Sequence, residues 1–384
     1  MSAAPALPAG GPFTAEFYVD AIARPSPDPA RLREAGERAL PQALCAAAQA
    51  DIARWPGYAP TPLVRLPQLA SELGIGQLYC KDESGRFGLG SFKALGGAYA
   101  VERLAAGAGG PLTVACATEG NHGRSVAWGA RRAGARCVIF LHRNVSAGRE
   151  QAIAVHGAEI RRVDGNYDDA VRECAEVAGR EGWTIVSDTT WPGYDRIPRI
   201  VMAGYSIMTA EMAGALDAAP THAILQGGVG GMAAAVMADL ARRYGADTPR
   251  FVIVEPRHAA CLLASLRAGT PTPVRGELRT VMAGLACGEA SPLAFDVVAQ
   301  GAGMALAVDD ERVVRAMRRL ARPAGADPAI VSGPSGAAGL GGLLALADSA
   351  ALREAAGLTP ASRVLVVSTE GDTDPQAYRQ LIGD

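Results

Sequence analysis

Lysine is nearly absent from this sequence. Of 37 lysines and arginines, only Lys81 and Lys93 are lysines. Arginine cannot stand in where a neutral amine is required, because its guanidinium stays protonated and is not a nucleophile. A desolvated lysine can lose its proton and form an imine with an aldehyde. The chain therefore has two positions at which an aldehyde cofactor could be held covalently, and the neighbouring motifs must separate that reading from a simple arginine bias. An excess of one charge is also missing: 37 basic against 39 acidic residues give a formal charge of -2. That balance supplies no electrostatic reason to expect nucleic acid or a membrane surface as partner, and a small-molecule enzyme fits better. No run is long and apolar enough to span a bilayer, and the start, Met1-Ser-Ala-Ala-Pro-Ala-Leu-Pro-Ala-Gly-Gly, lacks the basic region and apolar core of a signal peptide, so the expectation is a cytoplasmic protein. The seven cysteines have no metal-type spacing, so no metal site is expected and most should be reduced, buried, small hydrophobes. Neither a Walker-type Gly-Lys-Ser/Thr nor an early Gly-x-Gly-x-x-Gly occurs, which counts against a nucleotide loop.

What is present is an alternation of apolar, strand-like runs with alanine-rich helical stretches. Strands are expected at 77–81, 113–117, 135–141, 159–163, 184–187, 222–226, 250–255 and 363–368. Helices are expected at 92–107, 122–134, 167–181, 232–244 and 337–346, with an earlier one from Pro29 to Asp51 capped by Asp28. This alternation predicts an α/β protein with parallel-rich sheets flanked by helices. At 384 residues the chain is long enough for two lobes, since domains usually hold roughly 100 to 200 residues. The division expected is a large lobe of residues 1–93 and 211–384, with a small lobe of residues 94–210 inserted.

Four clusters carry the chemistry. Lys93 lies in Gly85-Arg-Phe-Gly-Leu-Gly-Ser-Phe-Lys-Ala-Leu-Gly-Gly97, where glycines let backbone approach a bulky ring and a helix begins near the lysine. Thr118-Glu-Gly-Asn-His-Gly123 follows a strand and leads into a helix, which puts an amide and backbone donors at the carboxyl edge of a parallel sheet. Gln226-Gly-Gly-Val-Gly-Gly-Met232 again joins strand to helix; its small residues expose consecutive N–H groups at a helix N-terminus, suited to a phosphate, although a tight turn would look the same. Ser368-Thr-Glu-Gly-Asp-Thr-Asp374 closes the last strand with hydroxyls that could bind a neutral pyridine nitrogen, and taken alone it reads as a polar turn.

Together the four clusters resemble the fold-type II pyridoxal 5′-phosphate (PLP) enzymes, which include threonine and serine dehydratases, tryptophan synthase β subunit and cysteine synthase. The likeness narrows to the diaminopropionate ammonia-lyases through Tyr58-Ala-Pro-Thr-Pro-Leu63, Lys81-Asp-Glu-Ser84, Arg86-Phe-Gly-Leu89, Gly120-Asn-His-Gly123 with Val126-Ala-Trp128, Asn166-Tyr-Asp-Asp-Ala-Val171, Asp188-Thr-Thr-Trp-Pro-Gly-Tyr194, Met282-Ala-Gly-Leu-Ala-Cys-Gly-Glu289 and Ser368-Thr-Glu-Gly-Asp-Thr-Asp374. These segments cover about residues 55 to 380.

The resemblance implies a two-lobed fold and a homodimer acting on a small amino acid. It implies that Lys93 carries the cofactor beside Phe92 and that Asn121 bonds its 3′-oxygen. Gly227, Gly228, Val229, Gly230 and Gly231 would hold its phosphate, and Ser368 or Thr369 would face its ring nitrogen. A hydroxyl partner there leaves the nitrogen largely unprotonated, which suits elimination. The implied reaction is loss of both amino groups from 2,3-diaminopropionate to give pyruvate and ammonia. Lys93, Glu119 and Asp188 are the catalytic candidates. The two carboxylates match acidic positions of the lyases; the alternatives are an exposed loop carboxylate for Glu119 and a cap or turn residue for Asp188. His122 reads as packed beneath its loop. Cys261 and Cys287 fall where the resemblance places a cysteine pair, with two reduced thiols as the alternative.

Three departures stand out. Glu119 occupies a position that is aspartate in the lyases, and a displacement of about 1 Å at a proton-transfer site can cost about a hundredfold, which bears on the D isomer. Pro334 replaces an acidic residue, and Gly90-Ser91 replaces Asn-Ala. They keep open a dehydratase acting on serine, threonine or 3-hydroxyaspartate, and more remotely a non-catalytic PLP-binding protein.

Overall fold

The computed structural model describes residues 18–118, 120–143 and 145–383. Its strands among the described residues are β1 (Val19–Ala23), β2 (Leu63–Arg65), β3 (Gln77–Asp82), β4 (Thr113–Ala117), β5 (Arg136–His142), β6 (Glu159–Val163), β7 (Thr184–Ile185), β8 (His222–Gln226), β9 (Arg250–Pro256), β10 (Ala302–Val308) and β11 (Arg363–Ser368). They form a seven-stranded sheet of order β1-β10-β9-β8-β11-β3-β2 and a four-stranded sheet of order β6-β5-β4-β7.

The chain divides into two compact units. The first takes the described residues up to Pro41, Pro60–Ser84 and the chain from Met208 onward; the second takes Gln42–Ala59 and Gly85–Ile207. Lys93, expected on the large lobe, therefore counts with the second unit. The helix it leads into, Ala94–Ala106, packs tightly on Asn121–Ala133: a Cβ on Gly129 would lie 2.5 Å from the Cα of Ala98.

In the first unit the five inner strands run parallel, and the edge strands β1 and β2 are antiparallel to their neighbours. Parallel strands covered by helices on both faces are apolar throughout, and β8 and β10 are fully buried. The glycine- and alanine-rich helix Pro334–Asp348 lies close on this sheet, where a Cβ on Gly342 would come within 2.3 Å of Val254. Because β8 and β11 are neighbours, with Ile224 opposite Val366, their carboxyl ends emerge side by side. Asp28 caps the helix Pro29–Ala39 by accepting from the N–H of Ala30 at 2.8 Å. The single helix expected through Asp51 is instead two, Pro29–Ala39 and Gln42–Ile52. Pro41 causes the break, having no N–H to donate and excluding the α conformation at Leu40, which sits at φ -144 and ψ 78.

In the second unit all four strands are parallel. Ala115, Val138, Phe140, Val163, Cys174 and Val177 form its core. The helix Tyr167–Glu181 covers them, started by a capping box between Asn166 and Asp169. Strand β7 stops at Ile185 rather than Ser187, since the N–H of Ser187 donates to the Tyr194 hydroxyl at 3.0 Å instead of to a neighbouring strand. None of the seven cysteines is assigned to a disulfide, and Cys287 alone among them is not fully buried; Cys261 and Cys287 are thus two thiols here. Among the described residues no single helix is long and apolar enough to cross a membrane.

Candidate active site

The two lysines have opposite surroundings. Lys81, on β3, has a side chain 1% exposed; its ammonium donates to Glu211 at 2.5 Å and to the carbonyl of Thr61 at 2.7 Å, with Glu83 at 3.9 Å. A buried ammonium so paired holds the fold together, and removing one partner would strand the others. Lys93 is 19% exposed and contacts the carboxylate of Asp188, which is itself 22% exposed. Lys93 is thus the lysine open to a small molecule.

Its backbone is held from below. The Ser125 hydroxyl donates to the carbonyl of Lys93 at 2.6 Å and accepts from the N–H of Ala98 at 2.9 Å. Gly97 makes room for that hydroxyl, since a Cβ there would lie 2.6 Å from it. Ser125 is on the helix Asn121–Ala133, so one clasp ties the lysine to the segment that carries Asn121. Thr118 shapes that segment's turn by accepting from the N–H groups of Gly120 and Gly123, both at 3.1 Å. Phe92 is buried with its ring 5.3 Å from the Lys93 nitrogen.

Asp188 follows β7 on a turn pinned by Tyr194, whose hydroxyl donates to the carbonyl of Ile185 at 2.8 Å and whose ring stacks on Trp191 at 3.9 Å. The carboxylate faces Lys93 and neither caps a helix nor closes the turn. Burial alone would raise the Asp188 carboxyl; the Lys93 ammonium outweighs it and holds the group well below the usual carboxylate range. His122 is buried beneath, as its sequence context suggests. Its Nε2 lies 2.9 Å from the carbonyl of Val186, so Nε2 carries the proton, and Nδ1, 4.0 Å from Asp188, has no hydrogen-bond partner among the described residues. Burial lowers its pKa from the ordinary imidazole value. Glu119 lies outside the described residues.

The first unit carries the other candidates. Gly228 and Gly230 have φ of +65 and +93, a conformation side chains rarely adopt, and they turn the chain from β8 into the helix Gly231–Tyr244. The N–H groups of Gly228 and Val229 have no acceptor among the described residues, and the first amides of the helix are free of intrahelical bonds. Four or so convergent donors at a helix N-terminus suit a phosphate. Gln226, just before the loop, clamps it to the end of β11. Its amide nitrogen donates to the carbonyls of Val367 at 2.6 Å, Gly336 at 2.8 Å and Ser335 at 3.1 Å, and its buried oxygen has no partner. Ser368 donates to Ser332 at 2.8 Å. Thr369 is buried beside it, and its oxygen meets Gln226 at the long distance of 3.5 Å, so its proton is available to an acceptor such as a pyridine nitrogen. Pro334 occupies the first turn of Pro334–Asp348, where its missing N–H costs nothing.

Glu255 lies directly under the loop: a Cβ on Gly227 would be 2.5 Å from it, and it accepts from the N–H groups of Leu262 at 2.9 Å and Leu263 at 2.7 Å. Burial pushes its carboxyl up to about 7, against those two amides. The folded protein therefore keeps a proton that the unfolded chain releases near 4.5, so this group's contribution is intact below that pH and is lost as the pH rises through about 7. Glu255→Gln is expected to remove this slope, worth on the order of a few kcal/mol. Denaturation midpoints of both proteins measured against pH would show it, and equal slopes would mean that the carboxyl is ionised throughout.

Gln226, Tyr194 and Ser125 were not singled out in the sequence. Gln226 and Tyr194 do stand at motif ends, but the role of Gln226 depends on a strand 141 residues away, and that of Tyr194 on how its turn folds back onto β7.

A sequence profile described as "Pyridoxal-phosphate dependent enzyme" matches residues 54–370. The chain belongs to the pyridoxal-phosphate-dependent enzymes, and its parallel-rich sheets flanked by helices are those of their fold-type II members. Within the family it is 40% identical over 349 residues to diaminopropionate ammonia-lyase of Escherichia coli strain K12, covering 85% of this chain and 88% of that protein. The crystal structure of the Escherichia coli enzyme in complex with D-serine matches with a TM-score of 0.87 at 36% identity, covering 95% of this chain and 97% of that one. The same enzyme in complex with an aminoacrylate-PLP azomethine reaction intermediate matches with a TM-score of 0.86 at 36% identity, covering 96% and 97%.

Proposed function

We propose that this enzyme eliminates ammonia from 2,3-diaminopropionate, and that Lys93, Asn121, the loop Gly227 to Gly231, and Ser368 or Thr369 serve one PLP molecule. The observation that carries the reading is the contact between Lys93 and Asp188, which sets a carboxylate kept ionised beside the more accessible of the two lysines.

Lys93 would hold the cofactor covalently, with Phe92 beside it. The unpaired amides of Gly228, Val229 and the following helix turn would take the phosphate, Asn121 the 3′-oxygen, and Thr369 or Ser368 the ring nitrogen. When bound, PLP supplies an electron sink that acidifies the substrate's Cα proton. The Lys93 amine would take that proton on the L isomer's face. An amine leaves poorly unless protonated, so the β-nitrogen must carry a proton as its bond to carbon breaks; if it has lost that proton, the Lys93 ammonium so formed can return it. Asp188, held ionised by the Lys93 ammonium, attracts the substrate's extra ammonium and keeps Lys93 oriented. Glu119 is its counterpart in the reading, with one of the two carboxylates taking the proton of the D isomer. The first ammonia leaves with aminoacrylate, whose imine form adds water to give pyruvate and the second ammonia.

Serine or threonine has no second ammonium to match Asp188, which places a hydroxy-acid dehydratase behind the diamine lyase. Assaying pyruvate and ammonia from D- and L-2,3-diaminopropionate, serine, threonine and hydroxyaspartates tests this: two ammonia per pyruvate from a diaminopropionate isomer supports it, and faster turnover of a hydroxy amino acid would replace it. Gly228→Asp should weaken PLP binding well over tenfold, equivalent to about 1.4 kcal/mol or more, because it sets a carboxylate against the phosphate and forces a side chain into φ +65. Equilibrium dialysis against PLP would measure it; unchanged affinity would make the loop a turn only.

A further inference from the structure

Tyr205, on the helix Arg196–Ala215, is 1% exposed, and its hydroxyl makes no hydrogen bond of ordinary geometry among the described residues, with the Lys93 ammonium the donor placed to reach it. A buried phenol oxygen in that state is unusual enough to need a reason. Two glycines bring it there. A Cβ on Gly96 would stand 2.5 Å from Cε1 of Tyr205, and a Cβ on Gly204 would stand 2.0 Å from the carbonyl oxygen of Leu95. The two helices are thus bare where they cross, and the phenol ring lies against the first turn of the helix that Lys93 begins. Phe92 closes the other side, with ring centroids 4.7 Å apart. The Lys93 nitrogen is 5.9 Å from the centre of the Tyr205 ring. Burial pushes the phenol up to about 12, against the nearby Lys93 charge, so the hydroxyl keeps its proton and can both accept and donate.

We propose that Tyr205 is a positioning residue for the Lys93 amine, its hydroxyl receiving the lysine whenever the amine is not bonded to the cofactor and holding it beside Asp188. The proposal rests on Lys93 being the cofactor lysine. A flexible four-carbon chain held through its terminal charge can swing; a rigid partner on an aromatic ring fixes its direction. The ammonium has three donors, so Asp188 and Tyr205 can be served together. Among the described residues the other titratable groups around the amine include Asp188 after β7, His122 on Asn121–Ala133 and Cys116 on β4, and Tyr205→Phe leaves all of them in place.

The test uses the full chain freed of PLP and an acylating amine reagent, with labelling at Lys93 followed by peptide mapping against pH; buried Lys81 is the internal reference. Tyr205→Phe removes an acceptor from the ammonium, so the pH midpoint for labelling Lys93 should fall by about one unit. In the holoenzyme kcat should fall about tenfold with KM little changed. The thermal midpoint of the holoenzyme should hold, because there the amine is bonded to the cofactor and the hydroxyl has no other partner among the described residues. Gly96→Ala, which pushes the ring aside but keeps the hydroxyl, should move the labelling midpoint in the same direction. An unchanged midpoint in Tyr205→Phe, with Lys93 still the residue fixed by borohydride in the holoenzyme, would overturn this proposal alone. Borohydride fixation at Lys81 would overturn the cofactor assignment on which it rests.

Discussion

Lys93→Arg is expected to fold and to release no measurable pyruvate, a loss of about 10⁴-fold or more. Arginine can keep the charge and the contact with Asp188, so the turn after β7 need not move, but its guanidinium cannot form an imine or shuttle the Cα proton. Lys81 cannot take over, with its side chain 1% exposed and its ammonium committed to Glu211 and Thr61. Turnover together with the visible absorbance of the purified protein checks this. Activity within an order of magnitude of wild type would remove Lys93 from the chemistry.

Asp188→Asn should lower kcat/KM for 2,3-diaminopropionate by about 10² or more, and any residual activity on serine far less. The amide keeps the shape of the carboxylate and loses its charge, which Lys93 and the substrate's second ammonium both use. Steady-state kinetics on the two substrates separates the readings. An equal loss on both would assign Asp188 to a step shared with dehydration and favour the hydroxy-acid enzyme.

The architecture was legible wherever local sequence agreed with tertiary environment. Strands β4, β6, β8 and β11 lie where their apolar runs between turn residues put them. Strand β10 did not stand out, because Ala-Gly-Met-Ala-Leu-Ala-Val is short of the β-branched residues that mark a strand; its place between β1 and β9 decides it. The break at Pro41 could have been read from the proline alone. In the site, Lys93 and the glycine loop stood out because rare lysines and consecutive glycines are visible without coordinates, but which of the two lysines is accessible was not. What joins them locally was not visible. Lys93 and Asp188 are 95 residues apart, and the Gln226 clamp reaches Val367 across 141. Tyr205 looks in sequence like any core aromatic on a helix, and only its orphaned hydroxyl beside the lysine sets it apart.

The central claim is that Lys93 holds PLP. Borohydride reduction of the purified holoenzyme followed by peptide mapping tests it most directly. The account predicts the reduced phosphopyridoxyl group on the peptide containing Lys93, with Lys81 unmodified; a label on Lys81, or no label on either lysine, would contradict it.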